Sequence, residues 1–539
     1  MEEIRQRSVD KIKYTQEQMD CLTYAGSRTL MVKGYAGSGK SLILEAIAKK
    51  YRDFYGYQRI NGVMIFTYQN TLVSVVRENM ELEGDVNEAI QVSTWNQYEN
   101  QVYEQLIQEG KVPSVRYPYG RHAEEHRLNN VAAALELHRN RYGKHRLLDL
   151  PVKFWLAEFD WMKEKNIWIN DQENYLKLPR TGRGDIVRMH MQDRIEAYGI
   201  FTTYCQYLNQ TKQGDWIDRT LYLARHPELI PESRKYEHVL IDEAQDLSLV
   251  QMKAMMNVYT KDMSIAMDAN QRIYGREWTP KELGIETVTK RLTKSMRTTR
   301  QIDALAESVR KNNDFILDKD DKGMRELPDR QGVLPYLIHV KDADEEKRRV
   351  IQLVKQYMEQ NKKLRIGIIA ARTSEKEDQL ACYSSWMAEA GIYHEIVKKD
   401  STFSARSPGV KIVSAFSSKG LEFDVVIIPH FEENYFPTPI YTDNREEKAE
   451  FLTKMRNLVY VSMTRARQML ILMYRGDHGS RFIGEMDPEE YQVLGLPIQD
   501  SYLKEESGEA WKQMAAKTPI PWAEPLKQKR RFEDRRGIK

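Results

Sequence analysis

The stretch TLMVKGYAGSGKSLILEAIAKKY, residues 29–51, places a glycine-rich loop between a strand and a helix. Residues 30–32 are apolar and read as a buried strand, and the apolar residues of 42–48 recur at helical spacing. The intervening GYAGSGKS, residues 34–41, matches the spacing of a phosphate-binding P-loop. Because a P-loop requires this order of strand, loop and helix, the sequence predicts an α/β nucleotide-binding lobe.

The P-loop residues predict a site for a nucleotide with its metal ion. Backbone N–H groups of the loop would converge on phosphate at the N-terminus of the helix. The loop residues concerned are Gly34, Ala36, Gly37, Ser38 and Gly39. Lys40 would reach the outer phosphates, and the hydroxyl of Ser41 would bind Mg²⁺. We therefore predict ATP and Mg²⁺ as the ligands of this lobe.

Two carboxylates follow a second apolar strand. In EHVLIDEAQDLS, residues 237–248, a short buried strand ends at Asp242 and Glu243. A carboxylate at this position can hold Mg²⁺, the role expected of Asp242, while its neighbour Glu243 can orient and deprotonate the attacking water. Solvated acids are common at strand ends, but together with a P-loop this pair predicts ATP hydrolysis.

The P-loop and the two carboxylates are farther apart in sequence than one compact nucleotide-binding sheet requires. The segment 101–200 between them is charged, rich in aromatic residues and helical in pattern, which predicts a helical insertion. We expect its tryptophans to form a core more readily than stacking platforms. The predicted divisions are a first lobe at 1–100 and 201–290, the insertion at 101–200, a second lobe at 291–490, and a linker with a basic tail at 491–539.

Composition narrows the class of protein without identifying a ligand. Lys and Arg total 82 against 79 Asp and Glu, and this net charge of +3 permits a nucleic-acid partner without requiring one. Basic clusters at 139–146 and 527–539 fit either phosphate contact or a solvated face and tail. No apolar run is long enough to cross a membrane, and the three cysteines form no CxxC pair. We expect a cytoplasmic protein with no membrane contact.

Past residue 290 the chain alternates apolar strands with helical segments, which indicates a second α/β unit. The stretches that carry this pattern are RLTKSMRTTRQI (291–302), IGIIAAR (366–372), VKIVSAFSSKGLEFDVVIIP (410–429) and NLVYVSMTRARQMLILMY (457–474). In order from about residue 14 to 475, these motifs and the preceding ones resemble the motor of superfamily 1 helicases of the UvrD/Rep type. The resemblance implies an α/β fold of two RecA-like P-loop lobes with parallel sheets and a mostly helical insertion in the first lobe.

The resemblance implies further residues for the nucleotide. Gln18 looks like the glutamine that reads the adenine edge, and Gln271 like the one that contacts the γ-phosphate or its attacking water. Arg297 in SMRTT and Arg465 in VSMTRAR match two arginines that close on the γ-phosphate, while Glu422 in SSKGLEF matches a ribose contact. An arginine finger is worth about 10³–10⁵ in rate, so its position on a second lobe would make hydrolysis depend on lobe closure.

The resemblance also implies residues that contact a nucleic-acid strand. The first-lobe residues of this kind are Phe66, Thr67, Ser93 and Thr94. The loop DANQRIYGREW, residues 268–278, adds Tyr274 and either Arg276 or Trp278 as a surface on which a base stacks, and we favour Trp278. GDWIDRTL, with Asp218, resembles an acidic segment that precedes the Mg²⁺ carboxylates in the family.

Three departures from the family pattern stand out. The tyrosine that usually stacks on adenine is replaced by Met296, which predicts looser base selectivity. The histidine that often precedes SAKGLEF is replaced by Phe416. The interval between SMRTT and SSKGLEF is too short for a large accessory domain, so we expect a compact helicase in which that domain is missing or much reduced.

These expectations leave two functions open. The first is an ATP-dependent translocase and helicase of single-stranded DNA, moving 3′→5′ as the family does, with RNA not excluded. The second is a nucleic-acid-sensing ATPase switch that regulates a partner protein, such as a nuclease or an antiphage effector, without processive unwinding. A P-loop kinase of small molecules would explain neither the second lobe nor the two arginines.

Overall fold

The structure is a computed structural model. It describes residues 13–55, 61–80, 89–118, 120, 122–179, 189–268, 278–313, 325–371, 373–374, 377–397, 407–439 and 445–495.

A first sheet of six strands organises the N-terminal half. In chain order the strands are β1 (Thr29–Gly34), β2 (Val63–Thr67), β3 (Ile90–Thr94), β4 (Tyr236–Ile241), β5 (Tyr259–Met267) and β6 (Thr287–Leu292). They lie in the order β3-β2-β4-β5-β1-β6, and every neighbouring pair is parallel. In a parallel sheet the carboxyl ends meet at one edge, so the loops after β1, β2, β3 and β4 converge there.

Helices cover both faces of this sheet, as parallel strands require. They are α1 (Gln16–Leu22), α2 (Lys40–Tyr55), α3 (Asn70–Met80), α4 (Trp95–Gln108), α9 (Asp218–Arg225), α10 (Leu249–Met256) and α11 (Pro280–Leu283). The strands pack against them through side chains such as Phe66, Val239 and Ile265, which are fully buried. Helix α4 follows β3 without a break and is capped at its N-terminus by Thr94, whose side chain accepts a hydrogen bond from the Gln97 N–H.

Between α4 and α9 the chain forms a separate helical unit. Its helices are α5 (Ala123–Tyr142), α6 (Val152–Glu164), α7 (Gln172–Lys177) and α8 (Met191–Gln210). Trp155, Phe159 and Trp161 of α6 are buried in its core, and Phe159 stacks on Tyr204 of α8 with ring centroids 4.7 Å apart. The aromatic residues of the insertion therefore form a core, as the sequence predicts.

A second parallel sheet organises the C-terminal half. Its strands are β7 (Tyr336–Val340), β8 (Arg365–Ala370), β11 (His394–Val397), β12 (Gly409–Ser414), β13 (Phe423–Ile428), β14 (Ala466–Arg475) and β15 (Gln492–Gly495), and a separate short ladder pairs β9 (Thr373–Ser374) with β10 (Glu377–Asp378). The main sheet has the order β11-β12-β8-β13-β14-β7-β15 and is parallel throughout. Two parallel sheets confirm the predicted α/β fold of two lobes.

The helices of this half are α12 (Arg300–Arg310), α13 (Ala343–Gln360), α14 (Gln379–Glu389) and α15 (Arg445–Met463). Between α12 and β12, the described chain builds strands of the second main sheet, helices packed on them and the short β9–β10 ladder. The residues described in this interval therefore contain no separate accessory domain, in agreement with the compact form that the sequence predicts.

The segment from Thr293 to Thr299 joins the two sheets. It begins where β6 ends, and Thr299 caps α12 by accepting a hydrogen bond from the Ile302 N–H. Its start is tied to α1, because Glu17 accepts hydrogen bonds from the main chain and hydroxyl of Thr293 at 2.9 and 2.8 Å. Arg297, one of the two predicted arginine fingers, lies within this connection.

The predicted domain boundaries stay a proposal, with two adjustments from the strands. The first sheet runs to Leu292 and the second to Gly495, each slightly beyond the predicted boundary. The basic tail, including 527–539, lies outside the described residues. In the other basic cluster, Arg139 and Arg146 form ion pairs with Asp149 and Asp193. Among the described residues, no helix is both long and apolar enough to cross a membrane.

Candidate ATP site and nucleic-acid groove

The P-loop leaves β1 and enters α2 at the carboxyl edge of the first sheet. Gly37 and Gly39 have left-handed backbone, with φ of +73° and +94°, which residues with side chains rarely adopt. A Cβ atom on Gly37 would also lie 2.4 Å from the Cβ of Arg297, and the Met296 N–H donates to the Gly37 carbonyl at 2.8 Å. The loop thus touches the connection between the lobes directly.

Lys40 is the first residue of α2 and is buried. Its ammonium group donates to the carbonyl oxygens of Gly34 at 2.8 Å and Tyr35 at 3.0 Å, and lies 3.7 Å from the carboxylate of Asp268. These contacts hold the positive charge over the loop, where a phosphate bound to the P-loop would meet it.

Ser41 and Asp242 come together across the sheet edge. The Ser41 hydroxyl donates to the Asp242 carboxylate at 2.5 Å, although the two residues lie on different strand–loop units. Mg²⁺ prefers hard oxygen ligands and keeps several waters and phosphate oxygens, so one hydroxyl and one carboxylate fit its needs. Among the residues that the structure describes, no group of three or more His, Cys, Asp or Glu side chains could hold a metal ion by itself.

Glu243 lies between charged and polar side chains of both lobes. Its backbone φ is +53°, a left-handed conformation that costs about 1–3 kcal/mol in a non-glycine residue and is typical of functional sites. The Gln245 side-chain NH₂ group donates to its carboxylate, and the Gln245 side-chain oxygen Oε1 accepts from the Asp268 N–H at 2.9 Å. The ammonium of Lys419, from the second lobe, lies 3.6 Å away.

The two neighbouring carboxylates have opposite pKa shifts. Burial, followed by the charge of Glu243, raises the pKa of Asp242 to about 6. Burial also opposes ionisation of Glu243, but the ammonium groups of Lys419 and then Lys40 outweigh it and lower the pKa of Glu243. The lowered pKa keeps Glu243 ionised at neutral pH, which is the protonation state that a general base requires.

Three arginines surround Glu422 at the second-lobe side of the same cleft. Arg297 and Arg467 donate to its two carboxylate oxygens at 3.2 Å each, and Arg365 lies 3.7 Å away. These charges, Arg297 foremost, outweigh burial and lower the pKa of Glu422. In the structure, Arg297 is thus held by a carboxylate at the place where the sequence predicts a ribose contact.

Arg465 is buried at the end of α15 and is the largest charged side chain in the core. It donates to the carbonyl oxygens of Val461 at 2.8 Å and Leu421 at 3.2 Å. Burial, and after it the charge of Arg297, lowers the pKa of Arg465 to about 9, so its guanidinium remains charged at neutral pH. A fixed, partly desolvated cation of this kind interacts strongly with a phosphate oxygen.

These side chains line one cleft of 520 Å³ between the lobes. Gln18 lines it too, with its amide nitrogen donating to the Ser38 carbonyl at 3.0 Å and its amide oxygen accepting from the Thr15 N–H. Met296 is 54% exposed and stands beside it. The cleft thus has charged groups at the P-loop. At its rim it has the amide of Gln18 and the apolar thioether of Met296. This arrangement fits a nucleoside triphosphate.

A second depression of 550 Å³ lies at the carboxyl ends of β2 and β3. Its walls are the loop after β2, the first turn of α4, the segment before α9 and the start of α10. Six amide side chains line it, and we call it the amide groove. They are Gln69, Asn70, Asn96, Gln97, Asn100 and Gln251.

Two family models match the chain in the order that its motifs predict. The UvrD/REP helicase N-terminal domain matches residues 14–279, and the UvrD-like helicase C-terminal domain matches residues 387–476. The chain belongs to the UvrD/Rep family of superfamily 1 helicases. Membership in this family confirms the resemblance carried by the motifs.

Individual relatives of this UvrD-like chain match over shorter stretches. DNA helicase II of Escherichia coli (strain K12) is 41% identical over 91 residues, 15% of this chain and 12% of that protein. DNA helicase II of Rickettsia typhi (strain ATCC VR-144 / Wilmington) is 38% identical over 94 residues, 16% of this chain and 14% of that protein. The matched stretches thus span only about an eighth of these relatives.

One solved structure, described as the C-terminal domain of a possible DNA helicase from a Lactobacillus strain (WCFS1), aligns with 37% of this UvrD-like chain and 98% of its own. The sequence identity is 19% and the TM-score 0.27.

The UvrD-like chain brings its predicted ATP residues to the same cleft. Those that line it are Gln18, Gly37, Gly39, Lys40, Ser41, Asp242, Glu243, Arg297, Glu422 and Arg465. Gly34, Ala36 and Ser38 belong to the same loop. The roles of these residues stay predictions, and Gln271 lies outside the described residues.

The structure does not fit two of the predicted nucleic-acid contacts. Phe66 is fully buried, packed edge-on against Trp95 and Tyr98, because every residue of β2 faces a covered side of the sheet. Trp278 is 5% exposed and its indole N–H donates to the Ala244 carbonyl at 3.0 Å. Both rings fill the first-lobe core, so neither can stack on a base here, and our preference for Trp278 is corrected.

The remaining predicted contacts divide between the groove and the undescribed loop. Thr67 and Thr94, both largely buried, line the amide groove, while Ser93 is half-buried and its hydroxyl donates to the Thr94 carbonyl at 3.0 Å. Tyr274 and Arg276 lie outside the described residues, so their roles stay predictions.

Sequence reasoning missed the most exposed ring of this region. Trp216 lines the amide groove and is 36% exposed, whereas the Asp215 and Ile217 side chains beside it are buried. The sequence feature that could have indicated it is the tryptophan of GDWIDRTL, a segment that we interpreted only through its acidic residue Asp218. Asp218 itself is an internal ion-pair partner of Lys163, at 2.6 Å.

Proposed function

We propose that the protein is an ATP-dependent translocase and helicase of single-stranded DNA that moves 3′→5′. The observation that carries the proposal is the composition of the ATP cleft. Lys40, Ser41, Asp242 and Glu243 come from loops of the first sheet, whereas Arg465 comes from the second lobe. A site divided in this way can work only when the two lobes are held together.

Each group has a separate part in hydrolysis. Asp242 and Ser41 would hold Mg²⁺, which supplies charge neutralisation at the phosphates when bound. Glu243, with its lowered pKa, accepts the proton of the attacking water. Lys40, Arg297 and Arg465 stabilise the negative charge that develops on the phosphate oxygens.

Hydrolysis is coupled to movement through the second lobe. Arg297 is paired with Glu422 in the structure and has to exchange this carboxylate for phosphate. The lobes approach when Arg297 and Arg465 engage phosphate and separate when it leaves, and the amide groove of the first lobe then shifts relative to the second. Repeated closure and opening displaces a bound strand.

The proposal includes the partners of the enzyme and its cell compartment. Single-stranded DNA is the expected track, RNA is the alternative, and a protein partner such as a nuclease remains compatible with both. A reducing cytoplasm agrees with Cys21, Cys205 and Cys382, none of which forms a disulfide.

The test compares ATPase rates of the full chain alone and with single-stranded DNA, duplex DNA and RNA. We expect single-stranded DNA to stimulate hydrolysis, and Lys40→Ala and Glu243→Gln each to reduce the stimulated rate by at least about 10²-fold. Lys49→Ala on the same helix and Glu237→Gln on the same strand are matched controls that should retain the rate. Full ATPase activity that no nucleic acid changes would contradict the proposal.

Unwinding is measured separately on forked duplexes with a 3′ or a 5′ single-stranded tail. Strand separation that requires the 3′ tail is the expected result. A nucleic-acid-sensing switch, which the names of the relatives do not favour, would show stimulated ATPase activity without strand separation.

A further inference from the structure

The amide groove differs chemically from a track for the phosphate backbone. Such a track presents Lys and Arg side chains along the strand. None of the described residues that line the groove is charged; they are amides, hydroxyl groups, aromatic rings and one leucine. A neutral depression of 550 Å³ is suited to a planar, uncharged group that forms hydrogen bonds, and a nucleobase is the part of a strand with those properties.

Two of the amides have a fixed orientation. The Gln97 side-chain oxygen accepts a hydrogen bond from the Thr94 N–H at 3.3 Å, which completes the cap of α4. The Asn100 side-chain oxygen accepts a hydrogen bond from the guanidinium of Arg219. Because both oxygens are used, the two NH₂ groups are the parts of these exposed side chains that can reach a ligand.

Arg219 is itself held in place. Its guanidinium lies 4.0 Å from the ring centroid of Tyr117 and 5.3 Å from that of Tyr103. A reversal of the Asn100 amide would therefore set its NH₂ group against a cation that cannot easily move. The donor orientation of Asn100 follows from the surrounding charge as well as from the hydrogen bond.

Trp216 supplies a stacking surface for the same ligand. Its indole is partly exposed although the Asp215 and Ile217 side chains on either side are buried, so the backbone that carries the ring is fixed. A base that stacks on an aromatic ring gains about 1–3 kcal/mol whatever its identity. The ring therefore provides affinity, and the amides provide discrimination.

We infer that the amide groove binds one unpaired nucleobase and prefers bases with a carbonyl at purine C6 or pyrimidine C4, namely guanine, thymine and uracil, to adenine and cytosine, which have an amino group there. Guanine presents the adjacent acceptors O6 and N7 and thymine the acceptor O4, whereas adenine and cytosine present an amino group that would face the NH₂ groups of Gln97 and Asn100. The inference rests on the proposed function, because it presupposes that the first lobe binds a strand.

The position of the groove gives this preference a role in the reaction. Leu247 and Gln251 line the groove, and they follow Glu243 within the same short turn and helix start. Asp246 in that turn pairs with Lys419, which also faces Glu243. The groove for the nucleobase and the general base Glu243 therefore share one segment of chain. The sequence of the bound nucleic-acid strand can thus affect the rate of ATP hydrolysis.

The test measures binding of fluorescently labelled oligonucleotides by anisotropy, without ATP and at one fixed salt concentration. Alternating d(GT) and d(AC) repeats of equal length contain equal shares of purine and pyrimidine, so they differ mainly in carbonyl and amino edges. We expect d(GT) to bind about 5- to 100-fold more tightly than d(AC). The r(GU) and r(AC) pair distinguishes an RNA source of the base from a DNA source.

Matched variants on one helix separate the amide contact from general effects. Gln97→Met and Asn100→Leu keep side-chain volume but remove the NH₂ donor, and each should reduce the d(GT) preference at least about three-fold. Gln108→Met is the control, because Gln108 is an exposed glutamine about 16 Å farther along α4. Trp216→Ala should weaken binding of both repeats by a similar factor.

The outcomes separate this inference from the proposed function. Equal affinity for d(GT) and d(AC), or a preference unchanged in both amide variants, would overturn the inference while leaving a sequence-neutral motor intact. No binding of any oligonucleotide by the wild-type chain would contradict the proposed function itself. A preference for d(AC) would overturn the donor orientation of the two amides.

Discussion

At the scale of single residues, Gly37 is the P-loop residue that contacts the connection between the two lobes. Its φ of +73° requires glycine, and an added Cβ would collide with the Cβ of Arg297 at 2.4 Å and with the Ser295 hydroxyl at 2.8 Å. The glycine is therefore needed twice, once for the shape of the P-loop and once for the approach of the second lobe.

Substitution of Gly37 by alanine separates these two needs. We expect Gly37→Ala to reduce kcat of the stimulated ATPase by on the order of 10²-fold, because the added methyl group displaces Arg297 from its position. The control is Gly110→Ala, at a φ of +68° with no atom within 4 Å of the added Cβ. Gly110→Ala should lose about 1–2 kcal/mol of stability in urea unfolding, as expected for a left-handed alanine, and Gly37→Ala should lose more because its Cβ also collides with Arg297. Equal kcat values in the two variants would contradict the steric role.

The carboxylate of Glu422 illustrates a second residue-scale feature. Three arginines share it, so the departure of Arg297 still leaves Arg365 and Arg467 beside the charge. An arginine that leaves a carboxylate with no other partner would expose an uncompensated charge in a half-buried site. Because Arg365 and Arg467 stay beside Glu422, the free-energy cost of separating Arg297 from this carboxylate is lower.

At the scale of elements, the helical insertion is joined to the first lobe by buried charges. Lys163 of α6 is fully buried and pairs with Asp215 at 2.8 Å and with Asp218, the first residue of α9, at 2.6 Å. Asp215 also accepts hydrogen bonds from Arg127 of α5 and Tyr204 of α8. One buried carboxylate therefore connects three helices of the insertion.

Loss of Lys163 should destabilise this junction strongly. Lys163→Met leaves Asp215 and Asp218 buried with less compensating charge, which typically costs about 3–5 kcal/mol. Urea unfolding followed by tryptophan fluorescence reports on it, because the insertion contains Trp155 and Trp161 in its core. The exposed pair of Lys177 and Glu173 provides the control, and Lys177→Met should leave the curve unchanged. Equal curves for the two variants would contradict the role of Lys163.

The elements also indicate how far sequence reasoning extends. The P-loop, the Asp242–Glu243 pair and the parallel strands could be predicted because their chemistry is local: glycine where φ is positive, apolar runs where both faces are covered. The prediction that Phe66 and Trp278 contact nucleic acid did not anticipate their burial. Burial depends on which helix covers a strand or loop, and the identity of a single residue does not reveal that. The orientation of Asn100 depends on Arg219, which only the folded chain brings near, whereas that of Gln97 follows from a capping box that is local in sequence.

At the scale of the whole molecule, the ATP cleft lies between two lobes whose cores meet at Ala36 of the P-loop, which packs into the core of the second lobe. A nucleotide that contacts Lys40 on one side and Arg465 on the other would act as a bridge between them. The stability of both lobes should then depend on one ligand.

Amide hydrogen exchange with and without Mg²⁺ and a slowly hydrolysed ATP analogue tests the bridge. We expect protection to increase on the order of ten-fold in the P-loop and also at the carboxyl ends of β13 and α15 in the second lobe. Arg297→Ala combined with Arg465→Ala should confine the added protection to the first lobe, and Arg481→Ala, at an exposed pair with Glu433, should not. Added protection of both lobes in the double variant would contradict the bridge. In the wild type, a chelator of Mg²⁺ should reduce the added protection.

The short connection from Thr293 to Thr299 has a mechanical consequence. It leaves the first sheet, crosses the P-loop with the Met296 N–H on the Gly37 carbonyl, and becomes the cap of α12. The connection between the lobes and the candidate phosphate site are therefore joined by a hydrogen bond. Under the proposed function, a sub-ångström displacement of the P-loop would act close to the hinge, and the far side of the second lobe would move through a longer arc. The distance that this far side moves for each change at the phosphates would then depend on these seven residues of chain.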